Sequence, residues 1–341
     1  MKAKVKDIIN IMNRLAPKKF AESWDNPGLQ IGNPDREIET VLTALDVTVD
    51  VVKKAVEKKA GMIITHHPLL FKPLKCIDMT TEKGKIIELL ISNNITAFAA
   101  HTNLDTAQNG VNDALVNILN LKKCTGMVPG YVHDIYKLVI ETEEKNRNSM
   151  QKEFLFEKNL EVEKNLKNYV KFEICGNKEY ILNLKEKISE KYENVNFECY
   201  EMKFSGKQEM MGRIGYLEHK MTGREALEYI KEKLKLPVMK FAGDVNKTVK
   251  CIGVLGGSGS GFAKYAQKGG ADLYLTADLK YHDAQDIAGS GLLVADGGHF
   301  YTENVIVEPL AEILQKECNR LKYDVKIEAY KDGKDIFGYI I

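Results

Sequence analysis

Six positions in this chain carry residue types that hold transition metals. "ITHHPLLF" sets His66 and His67 side by side where an apolar run stops. "AAHTNLD" carries His101 and Asp105, four residues apart, and "GGHFYTE" carries His299 and Glu303 at the same spacing. On a helix, or on a turn leading into one, residues four apart lie on one face. Imidazoles combined with carboxylates suit Zn, Fe, Mn, Ni or Co rather than Ca or Mg. Four imidazoles and two carboxylates exceed one tetrahedral site. They match two divalent transition-metal ions per subunit, bridged by a carboxylate at the roughly 3.5–4 Å separation of binuclear hydrolases. With seven histidines in 341 residues, some fall at strand ends by chance. The adjacent pair and the two matched spacings make joint coincidence the weaker account.

Other residues stand around this set. His282, in "TADLKYHDA", follows an apolar strand and is a candidate catalytic proton shuttle, set against a purely structural role. Asp278 in the same stretch could orient a ligand imidazole. His133 and His219 have no such company and read as ordinary surface residues. The turn "GGSGSG" (256–261) places Gly257, Ser258 and Gly259 before a helix, where successive backbone N–H groups attract anions such as phosphate. It completes neither a Walker A loop nor G-x-G-x-x-G, and a tight strand-to-helix turn explains it equally. "SWDNPGLQIG" contains a turn signal and the only Trp, and composition assigns it no task.

The elements that must position these residues alternate. Val5, Ile8, Ile9, Met12 and Leu15 mark a helical face that Pro17 ends. "TVLTALDVT" predicts a strand, "VDVVKKAVEKKAG" a helix with Gly61 as its C-cap, and "MIIT" a buried strand followed by His66 and His67. "EKGKIIELLISNN" and "ITAFAA" repeat the pattern before His101. The last third follows the same order: "AQKGGADLYLTADLKYH" parallels "AVEKKAGMIITHHP", and "GLLVADGGHFYTE" parallels "ITAFAAHTNLD". The reading is an α/β fold of two related halves, residues 1–125 and 211–341, forming one metal-binding unit. Sites in such sheets gather beyond the carboxyl ends of the strands. Between the halves, 126–210 is rich in Lys, Glu and Asn and predicts an inserted small α+β module of ferredoxin-like type. Its strands are "IYKLVIET", "NYVKFEIC" and "NVNFECYEM", its helix is "KEYILNLKEKISEKY", and its mixed-sign charge marks a solvated helix surface.

Composition removes several function classes. A net charge of +1 supplies no global field for nucleic acid or acidic membranes. Six scattered cysteines without a C-x-x-C pair fit reduced thiols rather than a disulfide framework. The opening "MKAKVKDIINIMNRLAP" is an amphipathic helix pattern rather than a signal peptide, and no stretch approaches the roughly 18 apolar residues of a membrane span. A cytoplasmic protein without membrane contact is expected.

Through "SWDNPGLQIG", "LDVT", "IITHHPLLF", "AAHTNLD", "GGSGSGF", "YLTADLKYHDA" and "DGGHFYTE", the chain resembles the dinuclear-metal-centre family labelled GTP cyclohydrolase 1 type 2 homologues (NGG-one-interacting-factor-three-like). Ala277 departs from the Gly that many members carry after the Thr. The resemblance implies metal ligation by His66, His67, His101, Asp105, His299 and Glu303. It also implies a ring-shaped homohexamer, and in longer members an inserted ferredoxin-like module. The Gly-rich and His-Pro-Tyr-Glu-Glu signatures of those members are absent from this insert. The family label implies a metal-dependent hydrolase opening a nucleotide or related heterocycle with an activated water, His282 protonating the leaving nitrogen and the Gly-rich turn holding a triphosphate. The alternatives are a non-catalytic ring-shaped metal-binding scaffold or regulator, and a nucleic-acid-associated ring, which the near-zero charge disfavours.

Overall fold

The computed structural model describes residues 1–154, 160–166, 168–202 and 206–340. Two compact units result: Met1–Gly130 together with Met210–Ile341, and Tyr131–Glu209.

The first unit is built on two main sheets. One has the strand order Lys326–Ala329, Thr40–Ala44, Met62–Thr65, Thr96–Ala99 and Gly28–Ile31. Its first four strands run parallel and the last is antiparallel. The other has the order Lys240–Ala242, Leu293–Asp296, Leu273–Ala277, Thr248–Ser258, Gln208–Thr222 and Lys122–Val132. Here the strands 293–296, 273–277 and 248–258 are parallel, and 240–242 and 208–222 pair antiparallel to them. All residues of Met62–Thr65, Thr96–Ala99 and Leu273–Ala277 are buried. That is why these strands read as unbroken apolar runs: a parallel strand covered on both faces has no polar side.

Helices cover these sheets for local reasons. Thr48 Oγ1 accepts from the amide of Val51 at 3.2 Å and starts Val49–Glu57. Thr81 does the same for Glu82–Ser92 through Gly84. Val51, Val52, Ala55, Ile86, Ile87 and Leu90 then pack with Leu42 and Ile63 in one core. Gly61 is not the C-cap expected of it. The helix ends at Glu57, Lys58 caps it, and Lys59 takes the left-handed conformation at φ 54°. Gly61 instead lies against Ile38, where a Cβ would sit 2.4 Å from Cγ2.

The second unit has four antiparallel strands in the order Asn196–Met202, Ile135–Glu143, Tyr169–Gly176 and Leu160–Leu166. In sequence they alternate with the helices Arg147–Phe154 and Lys178–Lys191 as βαββαβ. Leu138, Ile140, Val170, Phe172, Ile181 and Ile188 fill its core. Among the described residues, the charged stretch forms the α-helix Arg147–Phe154 and then the strand Leu160–Leu166. Pairing with Tyr169–Gly176 overrides its charged composition. Among the described residues, no helix is long and apolar enough to cross a membrane.

Candidate metal centre

The carboxyl ends of the parallel strands deliver the candidate ligands. His66 and His67 follow Thr65 directly. His101 caps the short helix Thr102–Thr106, and its carbonyl accepts from the amides of Leu104 and Asp105. His299 opens the equivalent short helix His299–Glu303, two glycines after the strand Leu293–Asp296. Gly298 makes that entry at φ 71°.

All six side chains converge. His67 Nε2 lies 2.7 Å from Glu303 Oε2 and 3.3 Å from His299 Nε2. His299 Nε2 is 3.0 Å from the same Glu303 oxygen. His66 Nε2 is 3.7 Å from both Asp105 Oδ1 and Glu303 Oε1. The His101 ring stands 5.1 Å from that of His66 and 5.7 Å from that of His67, centroid to centroid. Two groups of donor atoms, His66–His67–His101 and His67–His299–Glu303, each lie within 4.8 Å of one another and share His67.

Each imidazole is turned the same way. His66 Nδ1 meets the Ala100 carbonyl at 2.9 Å, His67 Nδ1 meets Asp46 at 2.8 Å, His101 Nδ1 meets Asp25 at 2.8 Å, and His299 Nδ1 meets Asp278 at 2.7 Å. An acceptor at Nδ1 holds the proton there and leaves the Nε2 lone pair facing inward, the arrangement that orients metal-ligating histidines. Asp25 also accepts from the Thr102 amide and hydroxyl. Burial would raise its carboxyl, but His101 and Thr102 bring it down to about 2.

The centre's charge balance follows from burial and proximity. Burial pushes Asp105 up to about 6 against the pull of the nearby imidazoles. Glu303 is equally buried, yet His66, His299 and His67 hold it well below the usual carboxylate range. Burial disfavours a charged His67, but Asp46 and Glu303 outweigh this and raise it to about 10. His299 rises to about 9, chiefly through its hydrogen bond to Glu303. His66 Nε2 and Asp105 Oδ1 are buried without a hydrogen-bond partner, although they face each other. Unsatisfied buried atoms are costly. A divalent cation would satisfy both, so the residues fit the ions that the sequence implies.

The sequence model of Duf34/NIF3 (NGG1p interacting factor 3) matches residues 3–335. The chain belongs to the DUF34/NIF3 family. A Bacillus subtilis relative named GTP cyclohydrolase 1 type 2 homolog is 32% identical over 369 aligned positions, covering 98% of each chain. A Staphylococcus aureus relative of the same name is 33% identical, covering 99% of this chain and all of its own. A solved Bacillus cereus protein related to NIF3 superposes with a TM-score of 0.90 at 31% identity over 99% of each chain.

Other residues of this NIF3 chain occupy distinct places. Gly257, at φ 66°, leaves room for Glu303: a Cβ there would lie 2.0 Å from Oε1. The Gly257 amide donates to Thr302 Oγ1 and that of Gly256 to Asn112 Oδ1, so these two N–H groups are already engaged. Ser258 lines the cleft above the imidazoles, and the Gly259 carbonyl accepts from the buried Tyr274 hydroxyl. His282 is exposed in the first turn of the helix Tyr281–Gly289, edge-on to Tyr281. Its neighbour Asp283 accepts from Ser260 of the Gly-rich turn at 2.8 Å. His219 is exposed, and His133 is half-buried and meets Glu209 at 2.9 Å; neither belongs to the two donor groups. Sequence reasoning passed over Asp25, Asp46 and Trp24. Their one signal was membership of the stretches "SWDNPGLQIG" and "LDVT".

Proposed function

We propose that this protein is a binuclear metal-dependent hydrolase acting on a nucleotide or related heterocycle, in the manner that the name of its relatives suggests. The observation that carries the reading is the common orientation of four imidazoles, each tied outward at Nδ1, with the Nε2 atoms of His66, His67 and His299 gathered on Glu303. His66, His67, His101, Asp105, His299 and Glu303 would hold two divalent transition-metal ions. The sharing of His67 between two donor groups supports that number. When bound, such ions act as Lewis acids and lower the pKa of a coordinated water to roughly 7.

The chain's own residues supply orientation. Asp25, Asp46 and Asp278 fix three rings, and Glu303, gripped from several sides, holds the centre together. Ser258 and Gly259 would border the substrate, and His282 would protonate the leaving group. Two related halves are supported by matched order: three parallel strands with intervening helices, then a His-to-acid pair at a five-residue helix, occur twice. For the inserted module, a ferredoxin-like reading is supported by the βαββαβ order. The family resemblance supports a homohexamer.

Elemental analysis of purified protein should find about two transition-metal ions per chain, as two-metal hydrolases carry. The metal-loaded protein should release product from at least one member of a nucleotide and heterocycle panel. His282→Ala should keep the metals and lose about 10²–10⁴-fold in turnover. Full metal content with no turnover on any panel member would favour the scaffold.

A further inference from the structure

The candidate centre opens into a cleft of about 440 Å³ whose walls do not suit the substrate that the relatives' name suggests. Trp24 and Phe71 stand over the imidazoles and remain 59% and 42% exposed. They meet each other edge-on at 5.9 Å, and both meet His101 edge-on, at 6.2 and 6.1 Å. None of these three pairs is stacked in parallel, so broad ring face stays open. Met211, Leu255 and Phe262 add apolar lining. Large aromatic surfaces left exposed beside convergent polar groups mark ligand-binding walls.

The charge of the lining is equally selective. Among the described residues, the cleft wall has the carboxylates Glu22, Asp105 and Glu303 and no Lys or Arg. Lys75 borders the adjoining apolar groove rather than this cleft. Phosphate groups are recognised by guanidinium, ammonium or free backbone amides. The amides of Gly256 and Gly257 are already donated to Asn112 and Thr302. Beyond the ions of the centre itself, a triphosphate would find Glu22 and indole, with no Lys or Arg to take its remaining charge.

We propose that the cleft takes an uncharged planar heteroaromatic ring, laid against Trp24 and Phe71, in preference to a nucleoside triphosphate. This rests on the reading of the cleft as the substrate site of a metal-dependent hydrolase. It narrows the substrate class to free bases and base-like heterocycles, whose ring faces the aromatic wall accepts regardless of exact substitution.

Trp24 is the only tryptophan of the chain, so its fluorescence reports on this wall alone. The test titrates full-length, metal-loaded protein with hypoxanthine, inosine and inosine triphosphate, excited at the red edge of indole absorption, with equilibrium dialysis as a second measure. The three probes share one ring and differ in sugar and phosphates. Saturable quenching is expected, with hypoxanthine bound more tightly than inosine triphosphate. Phe71→Leu, an exposed substitution that keeps apolar bulk, should weaken hypoxanthine about tenfold, within the range of one base–aromatic stack. Tighter binding of the triphosphate, no saturable binding of hypoxanthine, or unchanged affinity in Phe71→Leu would each overturn the proposal. Metal content, measured on the same samples, separates this failure from failure of the metal-centre reading.

Discussion

The two His-to-acid pairs share a spacing and a setting but divide the work. His101–Asp105 and His299–Glu303 each follow a buried parallel strand and each sits at a five-residue helix, which His101 caps in the first case and His299 opens in the second. Glu303 reaches His66, His67 and His299. Among the described residues, Asp105 approaches only His66 within ion-pair distance, and its Oδ1 has no hydrogen-bond partner. The imidazoles differ in the opposite sense. His101 is oriented by Asp25, whose side chain is fully buried, whereas His299 leans on Asp278, about half exposed at 48%. One pair therefore contributes a central acid with a loosely held ring, and the other a terminal acid with a firmly held ring.

The sharpest way to break this comparison is to remove each acid in turn. Glu303→Ala should abolish metal binding altogether, and Asp105→Asn should cost one ion and spare the other, as read by elemental analysis of dialysed protein. Equal losses would erase the distinction. Next in size is Gly257→Ala, which acts on Glu303. Its methyl group would displace Glu303, and a non-glycine residue at positive φ costs about 1–3 kcal/mol. A lower denaturation midpoint should accompany loss of metal.

Smaller effects sharpen the difference between the rings. Removing the carboxylate behind a metal-binding histidine typically weakens affinity about 10–100-fold. Asp25→Asn should fall at the upper end of that range and Asp278→Asn at the lower, measured by chelator competition. The smallest effect is one of protons. Without ions, His67 and His299 keep protons up to about pH 10 and 9. Their contribution to stability is complete below their ordinary value of 6.5 and is lost as pH climbs through 9 and 10. Metal loading at pH 7 should therefore release protons and tighten as pH rises, visible by calorimetry in buffers of different ionisation enthalpy.

How much of this was legible in the sequence depends on the range of each interaction. The six donor residues stand out because a strand end and a four-residue spacing are local patterns. Of the acceptors behind them only Asp278 was read, from its place beside the strand end in "TADLKYHDA"; Asp25, 76 residues from His101, and Asp46, 21 from His67, carry no such local sign. The task of Gly257 is invisible in text, since it consists of a missing Cβ beside a side chain 46 positions on. In the fold, the doubly covered parallel strands were readable as apolar runs. The long strands Lys122–Val132 and Gln208–Thr222 were not. The first contains Gly126, Pro129 and Gly130, which imitate a loop. The strand Leu160–Leu166 was hidden by charge for want of any local signal of its antiparallel partner.

The central claim is that both halves close on one pair of cations. Crystals of metal-replete protein, with data collected on either side of the metal's absorption edge, test it directly. The account predicts two anomalous peaks enclosed by the Nε2 atoms of His66, His67, His101 and His299, with Glu303 touching both and Asp105 touching one. A single peak, or peaks held by other residues, would contradict it.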